Sequence, residues 1–293
     1  MVTQTALPLP SVAVRGDVQK TFIDVKVLSG FTDSGHIEIL LGDYLSRLND
    51  TDKALALSEI DATRAFVATL PPFQPTQVVK RSISGTHVDG IRADPLFQQN
   101  FGQRPHQFAY VDLTQLVALQ PWIETRSDQI STDETELLHF ALPHNWEVPA
   151  EVTFIQPNGP IQILTSNPAL NSIALEFDKT KGTVSLGAPK HINLVQVVHY
   201  NGRHYLRNGY HRVADALAVG INEFPALVVE AMGNPMEFML TAYGAFNGLY
   251  MSSLLRPPLV TDFHTQAAVA SKVRERRYAV IVNLDVKQLN IGI

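Results

Sequence analysis

The sequence predicts an α+β fold in which helices surround a mixed sheet. Three observations indicate this class. Residues 35–73 carry apolar side chains at approximately helical spacing, residues 151–187 alternate as pairs of short strands, and residues 192–230 change from strand to helix and back to strand. We therefore expect a mainly helical N-terminal region, followed by a mixed sheet that contains a β-rich insertion.

Composition narrows the classes of function. Of the 293 residues 45% are apolar and only 17% are charged, against roughly 25% charged in an average soluble chain. This balance favours a large core or a homo-oligomer interface. The formal net charge of −5 argues against nucleic-acid binding through a positive field over the whole surface. Because the chain has no cysteine, disulfides, thiolate catalysis and zinc–thiolate sites are excluded.

Targeting signals are also absent from the pattern of the sequence. Apolar runs such as FPALVV and YAVIV stop well short of the ~20 residues that a membrane-spanning helix needs. The first 20 residues lack a basic start followed by a continuous apolar stretch, so they do not resemble a signal peptide. We expect a cytoplasmic protein without a membrane segment.

Three segments are predicted along the chain. Residues 1–105 contain an irregular arm, two short helices that end at Pro71 and Pro72, and a loop-rich connector without a long periodic pattern. Residues 106–235 form the main domain, with the β-rich insertion at about 124–190. Residues 236–293 form a helical and stranded extension.

Within the main domain, residues 108–123 (FAYVDLTQLVALQPWI) are typical of a strand, a helical turn and a proline exit. Ser131 and Glu134 have the spacing of a capping box before a short helix. Two hairpins are then predicted by pairs of alternating segments that flank turn residues. The first pair is 151–156 with 161–166, and the second is 172–178 with 183–187.

The segment 192–230 has the most informative pattern. If Asn201 and Gly202 form a two-residue turn, His199 lies directly opposite His204 on one face of the hairpin. After the second strand, Gly209 permits a sharp bend into a helix at Tyr210–Val219, which Gly220 closes. Residues 223–230 (EFPALVVE) then form a buried strand.

The start of this helix is the candidate site. Free backbone N–H groups and the positive end of the helix dipole converge there. Arg212 adds a planar donor suited to phosphate oxygens, His211 can also donate, and Asp215 lies four residues further on, where it could orient His211. Gly209, Tyr210, His211, Arg212 and Asp215 therefore form a candidate anion site. The alternatives are that Gly209 is only a turn residue, and that Arg212 pairs with Asp215 or a surface carboxylate.

Residues 205–229 (YLRNGYHRVADALAVGINEFPALVV) resemble the signature of the ParB/sulfiredoxin superfamily, in which a strand runs into Gly-x-(His/Arg)-Arg at a helix start. Residues 108–123 resemble the opening segment of the same family, and the resemblance as a whole is limited to about 108–123 and 191–230. It implies a ParB/sulfiredoxin-like mixed sheet. It also implies that Gly209, His211 and Arg212 line a phosphate site for a nucleotide or a phosphorylated small molecule.

The departures from that family are informative. Tyr210 stands where sulfiredoxins have their catalytic cysteine, which excludes their reductase chemistry. No helix-turn-helix pattern follows Glu230, which argues against DNA segregation. A nucleoside triphosphate, with Mg²⁺, is the cofactor that the resemblance implies.

Other ionisable groups have more than one interpretation. His199 and His204 could be two metal ligands or a half-exposed pair, and we assign no metal site to them. No other residue lies at a sequence spacing from His264 that would identify it as a partner. The basic residues of the run 271–278 could contact nucleic acid, but a solvated helix end is favoured; they are Lys272, Arg274, Arg276 and Arg277.

Two functions from different classes remain. In one, the protein is a nucleotide-dependent phosphotransferase, hydrolase or switch whose helix start holds phosphates. In the other, the same fold is a non-catalytic binding or assembly module and the helix start is purely structural. The sequence identifies no catalytic carboxylate.

Overall fold

The structure is a computed structural model, and it describes residues 22–31, 48–125, 130–144, 151–154, 161–165, 174–178, 183–187, 192–231, 246, 252–274 and 278–282. Helices and mixed sheets combine in it, which confirms the α+β class. The helices of the described part are α1 (Asp50–Thr69), α2 (Thr86–Ala93), α3 (Pro95–Phe101), α4 (Glu134–Ala141) and α5 (Tyr210–Ala218). The first seven strands are β1 (Phe22–Val27), β2 (Val79–Ser82), β3 (His106–Asp112), β4 (Leu116–Ala118), β5 (Trp122–Thr125), β6 (Glu151–Phe154) and β7 (Ile161–Thr165). The other seven are β8 (Ala174–Asp178), β9 (Thr183–Gly187), β10 (Gln196–Tyr200), β11 (Arg203–Asn208), β12 (Glu223–Glu230), β13 (Val269–Arg274) and β14 (Tyr278–Val282).

A six-stranded mixed sheet, ordered β2-β3-β12-β10-β11-β4, holds the main core. β12 runs parallel to β10 and antiparallel to β3. Its residues between Glu223 and Glu230 are all buried, as expected of a strand covered on both faces. The predicted opening segment supplies β3, a 3₁₀ turn at Leu113–Gln115 and β4, which confirms that part of the sequence prediction.

A second sheet, ordered β13-β1-β5, joins distant parts of the chain. α1 packs on it, and Ile60 forms a small apolar cluster with Val25 and Val27. β1, β5 and β13 come from the three predicted segments in turn. Backbone pairing therefore crosses both predicted boundaries.

The β-rich insertion forms as expected. β6 pairs with β7, and β8 pairs with β9, both antiparallel. The turns at 155–160 and 179–182 lie outside the described residues. β14 adds to β7 at the edge of this third sheet, so the C-terminal extension contributes a strand, as expected.

The prediction of a loop-rich connector before residue 106 is wrong. This stretch forms β2, α2 and α3, with Val88, Ile91 and Phe97 fully buried. Helices of eight and seven residues are too short to show a repeating pattern. Their buried side chains stabilise them instead, and α3 also has a side-chain cap. The side chain of Asp94 accepts a hydrogen bond from the Leu96 N–H at 2.8 Å, with Pro95 in the first turn.

The prediction of two short helices before Pro71 is tested only from residue 48 onwards, where the helix is longer than expected. Residues 50–69 form the single helix α1, whose 20 residues contain no glycine or proline to interrupt it. Asn49 caps its start by accepting from the Asp52 N–H at 2.9 Å. Residues 35–47 of the predicted pair lie outside the described residues.

Two further predictions about local structure need correction. Ser131 is not the cap of α4, because the carboxylate of Asp133 accepts from the N–H groups of Thr135 and Glu136. Asp133 competes better for this position because one carboxylate oxygen can accept from two adjacent donors at the positive end of the helix. The basic run does not begin as a helix end, since its residues up to Arg274 belong to β13 and pair with β1. Arg276 and Arg277 lie outside the described residues.

No helix in the described part of the chain is both long and apolar enough to cross a membrane.

Candidate functional site

The hairpin before the helix has the predicted register. Asn201 and Gly202 both adopt positive φ angles, of 49° and 71°, as a type I′ turn requires. His199 consequently lies opposite His204, and the two imidazole rings stack with centroids 4.4 Å apart and planes inclined by 21°. The prediction that both imidazoles share one face is confirmed.

Gly209 makes the bend between β11 and α5. Its φ of 93° lies in the left-handed region, which disfavours residues with a side chain. A Cβ atom here would also lie 2.6 Å from Cγ2 of Val195 and 3.1 Å from its Cα. The segment before β10 therefore passes so close to the helix start that this position requires glycine for two independent reasons.

Tyr210 is buried, and its hydroxyl is bonded inside the protein. The hydroxyl oxygen accepts hydrogen bonds from the N–H groups of Leu119 at 2.6 Å and Gln120 at 3.0 Å, and the hydroxyl donates to the Leu206 carbonyl. Burial raises the pKa of Tyr210 above its usual range, so the phenol stays neutral. This side chain ties the helix start to the segment between β4 and β5.

Arg212 is held by the end of another helix. Its Nη1 donates to the carbonyl oxygens of Phe140 at 3.2 Å, Ala141 at 3.1 Å and Asn193 at 2.9 Å. Its Nη2 donates to Oδ1 of Asn193 at 3.0 Å. Phe140 and Ala141 are the last residues of α4, whose carbonyl groups lack partners within their own helix.

These contacts give Arg212 a structural role. The negative end of the α4 dipole faces a guanidinium group that sits at the positive end of the α5 dipole. Burial lowers the pKa of Arg212 to about 10, so it remains charged at neutral pH. Within the described ranges Arg212 forms no ion pair, and neither Asp215 nor a surface carboxylate balances its charge.

His211 and Asp215 lie on the same helix as Arg212. Nδ1 of His211 donates to the carbonyl oxygen of Glu124 in β5 at 2.6 Å, so the ring joins α5 to the second sheet. Asp215 is buried, with 7% of its surface exposed. Four of the five predicted site residues lie at the start of α5 and Asp215 lies in the middle of the helix. The side chains of Tyr210, His211 and Arg212 make contacts that hold the fold together.

No pattern in the sequence indicates the residues that pack beside α5 from distant parts of the chain. Nζ of Lys26 in β1 donates to Nδ1 of His264 at 3.2 Å, across 238 positions of the chain. Burial is the main cause that lowers the pKa of His264, and the charge of Lys26 lowers it further, while a hydrogen bond to the Ala214 carbonyl opposes them. Burial also lowers the pKa of Lys26. His264 therefore acts as a neutral bridge between β1 and α5.

A buried ion pair fixes the same C-terminal segment. Nη2 of Arg256 donates to Oδ1 of Asp262 at 2.7 Å, and Oδ2 of Asp262 accepts from the Leu259 N–H at 2.7 Å. Burial nevertheless raises the pKa of Asp262. Each oxygen of this buried carboxylate therefore accepts a hydrogen bond, one from Arg256 and one from the Leu259 N–H.

Across the ranges given above, no group of three or more histidine, aspartate or glutamate side chains is arranged to hold a metal ion. The chain was compared with protein-family models, with curated proteins and with solved structures, and none of them matched it. The ParB/sulfiredoxin resemblance consequently stays a prediction.

Proposed function

We propose that this chain is a non-catalytic binding or assembly module, and that the start of α5 serves its architecture. The observation that supports this proposal is the set of four hydrogen bonds that Arg212 donates to oxygen atoms of Phe140, Ala141 and Asn193. A phosphate bound by the same Nη atoms would have to displace carbonyl groups of α4. The Phe140 carbonyl would then lose the donor that Arg212 provides, at a cost of up to about 1–3 kcal/mol. The Ala141 carbonyl would keep its hydrogen bond from the Val195 N–H at 3.0 Å.

A second candidate is nucleotide or phosphate binding at Gly209, His211 and Arg212, with Mg²⁺ if the ligand is a triphosphate. One observation favours it. Arg212 forms no ion pair with any residue in the described part of the chain, so only dipoles of carbonyl groups balance its charge. An anion that approached the helix start without breaking these bonds would gain from that positive potential.

Thermal unfolding in the presence of ATP, CTP, GTP with Mg²⁺, or phosphate separates the two candidates. A ligand at a hundred times its dissociation constant should stabilise the protein by about 2.7 kcal/mol. If the chain is a non-catalytic module, none of the four ligands should shift the unfolding temperature. A shift in the wild type that Arg212→Ala abolishes would replace the module with the second candidate.

The Arg212 variants also test the architectural role without any ligand. We expect Arg212→Ala to lower the free energy of unfolding by about 1.5–3 kcal/mol, the range for hydrogen bonds to a charged group. Arg212→Lys should recover part of this, because an ammonium group cannot reach several acceptors as a planar fork does. Arg92→Ala is the control, since its exposed pair with Asp89 contributes at most about 1 kcal/mol. Equal losses for Arg212→Ala and Arg92→Ala would contradict the architectural role.

A further inference from the structure

Three neighbouring strands of the central sheet bring two histidines and a glutamate to one face. His199 on β10 is paired with His204 on β11 and, on its other side, with Glu230 on β12. Directly paired residues in adjacent strands point to the same face of a sheet. The two-residue turn makes His199 and His204 a pair without mutual backbone hydrogen bonds, the kind in which side chains approach most closely.

Glu230 determines which nitrogen of His199 is free. Nδ1 of His199 lies 2.9 and 3.0 Å from the two carboxylate oxygens of Glu230. An ionised carboxylate only accepts hydrogen bonds, so Nδ1 carries the proton and Nε2 keeps a lone pair in the neutral ring. A carboxylate that holds the far nitrogen of a histidine in this way is the usual companion of an imidazole that binds metal.

His204 supplies a second lone pair. It forms no hydrogen bond with any residue in the described ranges, although its partner in the stack is bonded to a carboxylate. The neutral form of an imidazole, which predominates above the ordinary histidine pKa of about 6.5, has one unprotonated ring nitrogen that can bind a metal.

We propose that His199 and His204 bind a divalent transition-metal ion of the kind that prefers imidazole, such as Zn²⁺, with Glu230 orienting His199. Water would complete the coordination, because the described residues offer no third ligand already placed around one point. Two nitrogens that share one tetrahedral zinc ion lie about 3.3 Å apart. The ring centroids are 4.4 Å apart and the planes are inclined by only 21°, so both rings must rotate about their side-chain bonds to direct a nitrogen at the same ion.

The test is calorimetric titration of the full-length chain with Zn²⁺ at neutral pH. We expect one ion per chain, and at least about tenfold weaker binding for His199→Ala and for His204→Ala. Glu230→Gln should weaken binding by about 10–100-fold, the usual effect of losing an orienting carboxylate. Absence of Zn²⁺ binding to the wild type, or equal affinity of wild type and His204→Ala, would overturn the proposal.

The other close histidine pair provides the control. His87 and His139 have ring centroids 4.1 Å apart, but Nε2 of His87 is bonded to the Leu142 carbonyl at 2.7 Å. His139→Ala should leave Zn²⁺ affinity unchanged. Loss of binding in this variant would show that the ion binds at His87 and His139, and would contradict the proposal. If a variant fails to fold, ring-nitrogen NMR of the unmodified protein decides the question: Zn²⁺ should move the signals of His199 and His204, and unmoved signals would contradict the site.

Discussion

Gly209 combines two constraints that only glycine satisfies. Its positive φ is unfavourable for other residues, and the space where a Cβ would point is occupied by Val195. Gly220 at the end of α5 shares the first constraint, with a φ of 83°, but nothing lies within 4 Å of its Cβ position. A substitution at Gly220 therefore reports backbone strain alone, and one at Gly209 reports backbone strain together with steric conflict.

We predict that Gly209→Ala destabilises the protein more than Gly220→Ala does. The left-handed conformation alone costs about 1–2 kcal/mol for a residue with a Cβ. Gly209→Ala must in addition displace Val195, which adds to that loss. Urea unfolding of both variants measures the difference, and equal losses would show that the segment before β10 moves away without penalty.

At the scale of elements, α4 is held by its C-terminal end. Its last carbonyls accept from Arg212, and the following Leu142 carbonyl accepts from Nε2 of His87 in α2. Two helices thus cap a third. Because α4 lies inside the segment predicted as an insertion, these caps attach that segment to the sheet.

The cap from His87 should make the stability of the protein depend on pH. Burial is the largest cause that lowers the pKa of His87, and the nearby His139 and His144 lower it further, while the bond to Leu142 opposes them. The unfolded chain therefore binds a proton more readily than the folded chain. The stabilisation is fully present above the unfolded pKa of about 6.5 and declines as the pH falls towards the lower folded value.

The measurement is urea unfolding at a series of pH values between about 7.5 and 5, with His87→Gln as the comparison. Glutamine can still donate to the Leu142 carbonyl but does not titrate, so the variant should lose less stability on acidification than the wild type. Parallel curves for the two proteins would show that His87 does not contribute to the pH dependence.

Across the whole molecule, Tyr210 links the two principal sheets. Leu119 and Gln120, whose N–H groups bond its hydroxyl, lie between β4 of the six-stranded sheet and β5 of the three-stranded sheet. Tyr205, on β11 next to β4, also has a buried hydroxyl. This hydroxyl has no hydrogen-bond partner in the described part of the chain. The guanidinium of Arg203 lies near that hydroxyl without the geometry of a hydrogen bond.

We predict opposite results for two chemically identical substitutions. Tyr210→Phe leaves two backbone donors without their acceptor and should cost about 1–3 kcal/mol. Tyr205→Phe removes an unsatisfied buried hydroxyl and should be neutral or stabilising. Thermal unfolding of the two variants measures the contrast, and a greater loss in Tyr205→Phe would mean that its hydroxyl has an acceptor or donor after all.

The sequence by itself determined the features whose cause is local. The Asn201–Gly202 turn specifies the register of its own hairpin, and with it the His199–His204 pair, because a two-residue loop leaves no freedom to slip. The helix start at Gly209 and the α+β class were equally readable from the chain. Short capped helices such as α3 were not predicted, because seven residues are too few to show a repeating helical pattern.

Only the tertiary structure decided what the candidate site residues touch. The sequence shows a guanidinium at the positive end of a helix, and an external anion is one way to satisfy it. The fold supplies another, because the end of α4 and Asn193 arrive there from up to 72 positions away. The contact of Lys26 with His264 is more remote still. Partners so distant along the chain are selected by packing of the whole core, and no spacing rule within one segment encodes them.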